Sequence, residues 1–156
     1  MVVEGEMRIE GTLDAVWAMA ADVVGWATTY TGVQQVEVVA RPASGMVGLR
    51  WKETRLYFGE SATVEKWVTE AVDRAYFTTR AEQDGFIFTT TLRLVAQGSG
   101  VIVTSRHRTD TSTLMARLKA LPMVLFRGVI RKAILEDLRD LKAAVEGTAP
   151  VAAARR

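Results

Sequence analysis

Between Val33 and Asp110 polar and apolar side chains exchange places about every second residue, whereas from residue 114 to 146 the apolar ones return every third or fourth. A period of two belongs to strands with one buried face, and a period near 3.6 to a helix with one apolar stripe. A run of strands joined by short links and followed by a helix that can cover them is an α+β arrangement with an antiparallel sheet.

The turn residues divide the period-two region into six strands. Val36, Val38 and Ala40 alternate with Glu37, Val39 and Arg41 before Pro42, Gly45 and Gly48 break the pattern. A strand is expected from Leu49 to Phe58, a turn at Gly59, and a return from Ser61 to about Val72. "DRAYFTTRAEQ" and "GFIFTTTLRLVAQ" meet at Asp84-Gly85, a pair suited to a two-residue hairpin whose turn positions both need positive φ. Gly98-Ser99-Gly100 turns the chain into "VIVTSRHRTD".

Residues 2 to 10 read as a further strand, with Thr12 placed to cap a short helix. Leu13, Val16, Trp17 and Ala20 then form one apolar helical face, which makes Trp17 a core residue. Asp22 is placed to cap a second short helix containing Trp26. At the far end Leu114, Leu118, Leu121 and Leu125, then Ile134, Leu138, Leu141 and Val145, keep helical spacing. Pro122 and Gly128 interrupt it, so a short helix ending near Leu121 and a long one after Pro122 are expected. Gly147 and Pro150 end the helix, which leaves residues 1–147 as one domain and 148–156 as a flexible tail.

Composition removes several kinds of chemistry. Without cysteine there are no disulfides, thiolate nucleophiles or cysteine-ligated metals, and without asparagine no glycosylation sequon. The one histidine and the lack of a clustered acidic motif give no support to a metal site, and no cofactor is expected. No nucleophile elbow, P-loop or dinucleotide fingerprint is present. A formal charge of +2 is too small to demand nucleic acid. No apolar run reaches membrane-spanning length and the start lacks the pattern of a secretory signal, so a cytoplasmic protein is expected. Fifteen arginines against five lysines suit a bacterial source with a GC-rich genome.

Strand, two small helices, six antiparallel strands and a long terminal helix is the order of the helix-grip fold. The stretches "IEGTLDAVWAMAADVVGWATTY", "VGLRWKETRLYFGESATVEKWV", "GSGVIVTSR" and "VIRKAILEDLRDLKAAVEG" resemble those of the START/SRPBCC superfamily, especially its polyketide cyclase/dehydrase-like branch. The chain departs from the family's frequent Trp-Pro pair, since Ala27 follows Trp26. The resemblance implies a curved sheet of about seven strands wrapping the terminal helix around a hydrophobic cavity. It also implies a hydrophobic small molecule as partner, whether lipid, polyketide or aromatic metabolite. The alternatives it leaves are a polyketide aromatase/cyclase or dehydratase working in the same cavity, or a START-like interaction module. It sets no oligomeric state.

Several residues are candidates for such a site. Strand parity puts Trp51, Glu53, Arg55 and Tyr57 on one face, opposite Arg50, Lys52, Thr54 and Leu56. If the first face looks inward, Glu53 and Arg55 orient a ligand or transfer protons; otherwise they are an ordinary surface ion pair. His107 follows the parity of Val101 and Val103 inward, where an imidazole serves as acid, base or orienting donor, unless it is structural. Phe77 on one strand and Phe86, Phe88 and Thr90 on the next supply the mixed face of a pocket wall or of a plain core. Met123, Phe126 and Ile130 line the cavity if their helix face meets the sheet, and Trp26 lies in the core or at the rim. Residues 115 to 132 hold five cations and no acid, either the solvated side of the helix or a weak membrane-surface contact.

Overall fold

The computed structural model describes residues 1–57 and 59–147, with the backbone alone of Leu121. Phe58, the expected end of a strand, and the expected tail at 148–156 lie outside the described residues.

Seven strands form one sheet: β1 (Val2–Glu10), β2 (Val33–Ala40), β3 (Arg50–Tyr57), β4 (Glu60–Val72), β5 (Tyr76–Gln83), β6 (Phe86–Gln97) and β7 (Gly100–Thr111). Their order is β1-β7-β6-β5-β4-β3-β2, and every neighbouring pair is antiparallel. The meander from β2 to β7 is the one the alternation calls for, and only β1 joins out of sequence, beside β7. Asp84 and Gly85 have φ of 52° and 81°, the double positive φ that a tight hairpin between β5 and β6 requires. Irregular register in β2 and between Val68 and Glu70 of β4 marks bulges, the device by which strands bend.

Two short helices follow β1. Thr12 Oγ1 accepts from Ala15 N at 3.1 Å and so caps α1 (Leu13–Ala21). Asp22 Oδ1 accepts from Gly25 N at 3.3 Å, capping a 3-10 turn that runs into α2 (Trp26–Thr29).

The C-terminal region differs from expectation in one respect. A short helix, α3 (Leu114–Ala120), is present, but the long helix does not resume after Pro122. Residues Leu121–Phe126 wind as a 3-10 helix, and α4 covers Arg127–Glu146. Pro122 has no N-H to donate and its ring opposes a preceding α turn, so the chain tightens there. Gly128 does not break α4, because it falls in the first turn, where N-H groups have no intrahelical partner to lose. Gly147, at φ 71°, ends α4 as its position in the sequence indicates.

α4 lies across β1 and β7 with α1 and α2 beside it. Its close approach to β1 depends on Gly5, where a Cβ would stand 2.7 Å from Ile134 Cγ2. The core beneath is dense: Ile9, Val16, Trp51, Val101, Val103 and Leu141 have no exposed surface. It loosens along each inner strand face. On β6 Leu94 and Leu92 are buried while Thr90, Phe88 and Phe86 are half-buried, and on β3 the sequence runs from buried Trp51 to Tyr57 at 46% exposed. The sheet therefore has a closed end and an open end on the side that faces α4.

Candidate functional site

The parity of β3 decides the site. Trp51 and Glu53 are buried and Arg55 nearly so, whereas Lys52 and Leu56 are exposed, so the first set faces inward. On the outer face Arg50 stacks over Trp67 at 4.4 Å and pairs with Glu65 at 2.9 Å. The surface ion pair foreseen as an alternative for Glu53 and Arg55 is thus made by Arg50 and Glu65 instead.

Glu53, only 1% exposed, accepts from three donors. Arg55 Nε lies 2.6 Å and Lys66 Nζ 2.7 Å from its Oε1, and Trp51 Nε1 donates to Oε2 at 3.2 Å. Arg55 then turns its fork to α4, donating from Nη1 and Nη2 to Asp137 at 3.2 and 2.9 Å. Two cations and two anions are joined, so the cluster carries no net charge and spans sheet and helix. Such a group tolerates burial because each charge is matched and hydrogen-bonded. Beside it Asp140 accepts from Thr31 N and Oγ1, both at 2.8 Å, tying the loop after α2 to α4.

Titration follows from these contacts. Burial works to raise the Glu53 carboxyl, but the charges of Lys66 and Arg55 and their hydrogen bonds prevail and hold it at about 2. Burial likewise works against the charged form of Arg55, yet Asp137 and Glu53 push its pKa above the ordinary value. Asp137 is raised, by burial first, with Arg55 opposing. Burial also raises Tyr57 and Tyr30, so both phenols stay protonated.

His107 faces inward as the parity of Val101 and Val103 indicates. Its Nδ1 is 2.9 Å from Thr90 Oγ1, and its ring stacks on Phe88 with centroids 6.1 Å apart. Phe88 in turn stacks on Phe86 at 6.1 Å. Burial, then the charges of Lys66 and Arg55, lower the imidazole to about 4, which leaves it neutral at ordinary pH.

The other candidate residues divide into two sets. Trp26, Trp51 and Phe77 are buried together: Trp26 packs edge-on against Trp51 at 5.5 Å, lies over Phe77 at 6.2 Å, and donates from Nε1 to Ala20 O at 3.0 Å. Trp17, half-buried, meets Phe77 edge-on at 5.9 Å. Tyr57, Phe86, Phe88, Thr90, Met123 and Ile130 keep partial exposure, and Phe126 is 47% exposed. A groove of about 500 Å³ opens beside the 3-10 segment, lined by Met1, Thr109, Asp110, Arg117, Met123 and Val124 among others. The buried Thr109 hydroxyl at its wall has no hydrogen-bond partner among the described residues.

Lys66 and Asp137, which complete the polar cluster, and Asp140 beside it were not foreseen. Both kinds of signal were in the chain. The register that pairs Tyr57 with Glu60 sets Lys66 opposite Trp51, and Asp137 interrupts the apolar stripe of Ile130, Ile134, Leu138 and Leu141. Among the described residues no three His, Asp or Glu side chains converge as a metal site would need.

This arrangement, an open seven-stranded antiparallel sheet gripping a long C-terminal helix, is the START-like helix-grip fold. No protein-family model matches the chain, and no curated protein matches it in sequence. Solved structures do match. The protein TTHA0849 from Thermus thermophilus superposes with a TM-score of 0.70 at 20% identity over 100% of both chains. The Zhui aromatase/cyclase from Streptomyces sp. R1128 gives 0.72 at 17% identity, over 94% of this chain and 93% of that one. A START superfamily protein from Mycobacterium smegmatis gives 0.69 at 15% identity over 94% of each. The fold is thus shared with a START superfamily protein and an aromatase/cyclase, as the sequence resemblance implies.

Proposed function

We propose that the protein encloses a small or medium hydrophobic molecule between the inner sheet face and α4, with the molecule's polar end against the Glu53, Arg55, Lys66 and Asp137 cluster. The observation that carries this reading is the placement of that cluster beside a half-buried wall of Tyr57, Phe86, Phe88, Thr90 and His107. A mostly apolar surface with a few convergent polar groups is what a small-molecule site needs. Burial of ligand area contributes roughly 25 cal/mol per Å², while Lys66, Tyr57, Thr90 and His107 have the donors to select a carbonyl, carboxylate or phenol.

Binding is preferred to acid-base catalysis on the titration of the candidate bases. An efficient general base titrates near the working pH. Glu53 at about 2 and His107 at about 4 are weak bases at neutral pH. A cyclase or dehydratase remains the second reading because Arg55, Lys66 and Tyr57 bring donors to one place, where they would stabilise an enolate oxygen.

Native mass spectrometry of the purified protein, with a thermal-shift screen of amphipathic aromatic and polyketide-like compounds, tests the first reading. A copurified or screened binder whose affinity falls in Phe88→Ala supports it; no binder of either kind overturns it. Unchanged turnover of a candidate polyketide by Glu53→Gln and His107→Ala would dismiss the proton-transfer version of the second.

A further inference from the structure

α3 presents its apolar side away from the protein. Ala116 is 1% exposed and packs inward, while Leu114 is 74%, Met115 63% and Leu118 59% exposed. At about 100° per residue, Leu114, Leu118 and Met115 occupy one arc of roughly 100°, with Arg117 and Lys119 on its two borders and the alanines opposite. The 3-10 segment and the start of α4 continue this surface with Leu125 at 84%, Val124 and Val129. Between Asp110 and Glu136 the chain has no acid and five cations: Arg117, Lys119, Arg127, Arg131 and Lys132. Arg127 donates to Val2 O at 3.2 Å and Lys132 stands 3.9 Å from Glu136, whereas Arg117, Lys119 and Arg131 pair with no carboxylate among the described residues.

We propose that this surface, α3 with the 3-10 segment and the first turn of α4, docks on an anionic phospholipid bilayer. The geometry is that of an interfacial helix: aliphatic side chains dip below the headgroups, and cations at the borders of the apolar arc extend to the phosphates. Charge complementarity decides among occupants. A second copy of the chain joined about a twofold axis would bring ten cations together, outnumbering the Asp110 and Glu136 of each copy that border the segment. Nucleic acid would meet the phosphate attraction but leave the leucines without partners, since bases stack on aromatic rings rather than on aliphatic chains. An anionic bilayer satisfies both parts of the surface. The groove lined by Arg117, Met123 and Val124 opens at this same surface, so docking would bring its mouth to the lipid. The docking does not depend on the ligand reading given above.

The test is cosedimentation of the full chain with vesicles of phosphatidylcholine alone, or with about one third phosphatidylserine, at low and high salt. Binding to the anionic vesicles that weakens with salt is expected. Neutralising Arg117, Lys119 and Arg131 together to Gln lowers partitioning roughly a hundredfold or more, and Leu125→Asp lowers it about tenfold. Circular dichroism of both variants checks that the fold is kept, which it should be because these side chains pack on little. Binding to serine-containing vesicles no stronger than to phosphatidylcholine overturns the proposal, as does binding that the folded variants retain in full. A salt-sensitive self-association in sedimentation velocity, abolished by Leu125→Asp and unaccompanied by lipid binding, would assign the surface to a second copy instead.

Discussion

Glu53→Gln removes the anion on which Trp51, Arg55 and Lys66 converge while keeping the shape of the side chain. The folded carboxyl titrates at about 2 against an ordinary 4.5, so as the pH falls the unfolded chain takes up the proton first. The stabilisation from this group is therefore complete above 4.5 and is lost as the pH falls through 2. That gap, at about 1.36 kcal/mol per pH unit, amounts to roughly 3 kcal/mol at neutral pH and falls to about 1 kcal/mol near pH 3. The figure is already net of the desolvation of Glu53, and it agrees with the several kcal/mol expected when one partner of a buried ion pair is removed. Urea unfolding of wild type and E53Q at pH 7 and pH 3 measures both values, with an unchanged denaturant slope showing that the native state has kept its compactness. The stability difference should narrow somewhat more than about twofold between the two conditions. A difference equal at both pH values, or none at pH 7, refutes the reasoning.

Four further outcomes follow from the contacts described. His107 is the one histidine, so its ring protons can be followed by NMR; a titration midpoint near 4 is expected, and one above 6 would contradict its burial beside Lys66 and Arg55. Its folded value lies below the unfolded 6.5, so stability falls as the pH drops from 6.5 towards 4, by roughly 3 kcal/mol in total, and His107→Gln should lack that part of the slope. Gly5→Ala drives a methyl against Ile134 and should cost about 1–3 kcal/mol in urea unfolding, with a neutral result showing that α4 shifts freely. Trp51→Phe removes the donor to Glu53 Oε2 and should cost about 2 kcal/mol, read by loss of denaturation midpoint at unchanged slope.

The sequence conveyed most of the fold because its signals are local. Alternation marked the strands, Asp84-Gly85 marked a hairpin that only positive φ can close, and Thr12 and Asp22 marked the helix starts. Pro122 marked a break, yet not that six residues would tighten into 3-10 turns, which depends on how α3 and α4 both reach the sheet. At the site, parity grouped Glu53 and Arg55 with Trp51, and His107 with Val101 and Val103, but left open which face looked inward; the burial of Trp51, Glu53, Val101 and Val103 decides it. Parity could not say which partners they meet, because Lys66 arrives through the register of β4 and Asp137 through the azimuth of a helix 82 residues from Arg55. Nor does parity separate a core aromatic such as Trp51 from a wall aromatic such as Phe88, since both point inward and differ only in how far they lie from the closed end.

The two ends of α4 are held unequally. From Ile134 onward it is fixed by the contact at Gly5, by Asp137 and Asp140, by Lys142 Nζ donating to Arg8 O at 3.1 Å, and by Glu146 accepting from Glu10 N at 2.8 Å. Its first turn and the 3-10 segment before it carry mostly exposed side chains. The contacts that anchor α4 are thus concentrated in its C-terminal half. Surface substitutions away from packed features usually change stability by less than about 0.5 kcal/mol, so residues 123 to 130 are free to vary while the native state persists. A scaffold arranged in this way can alter the surface it presents around residues 123 to 130 without first becoming unstable, since the contacts that hold the helix lie further along it.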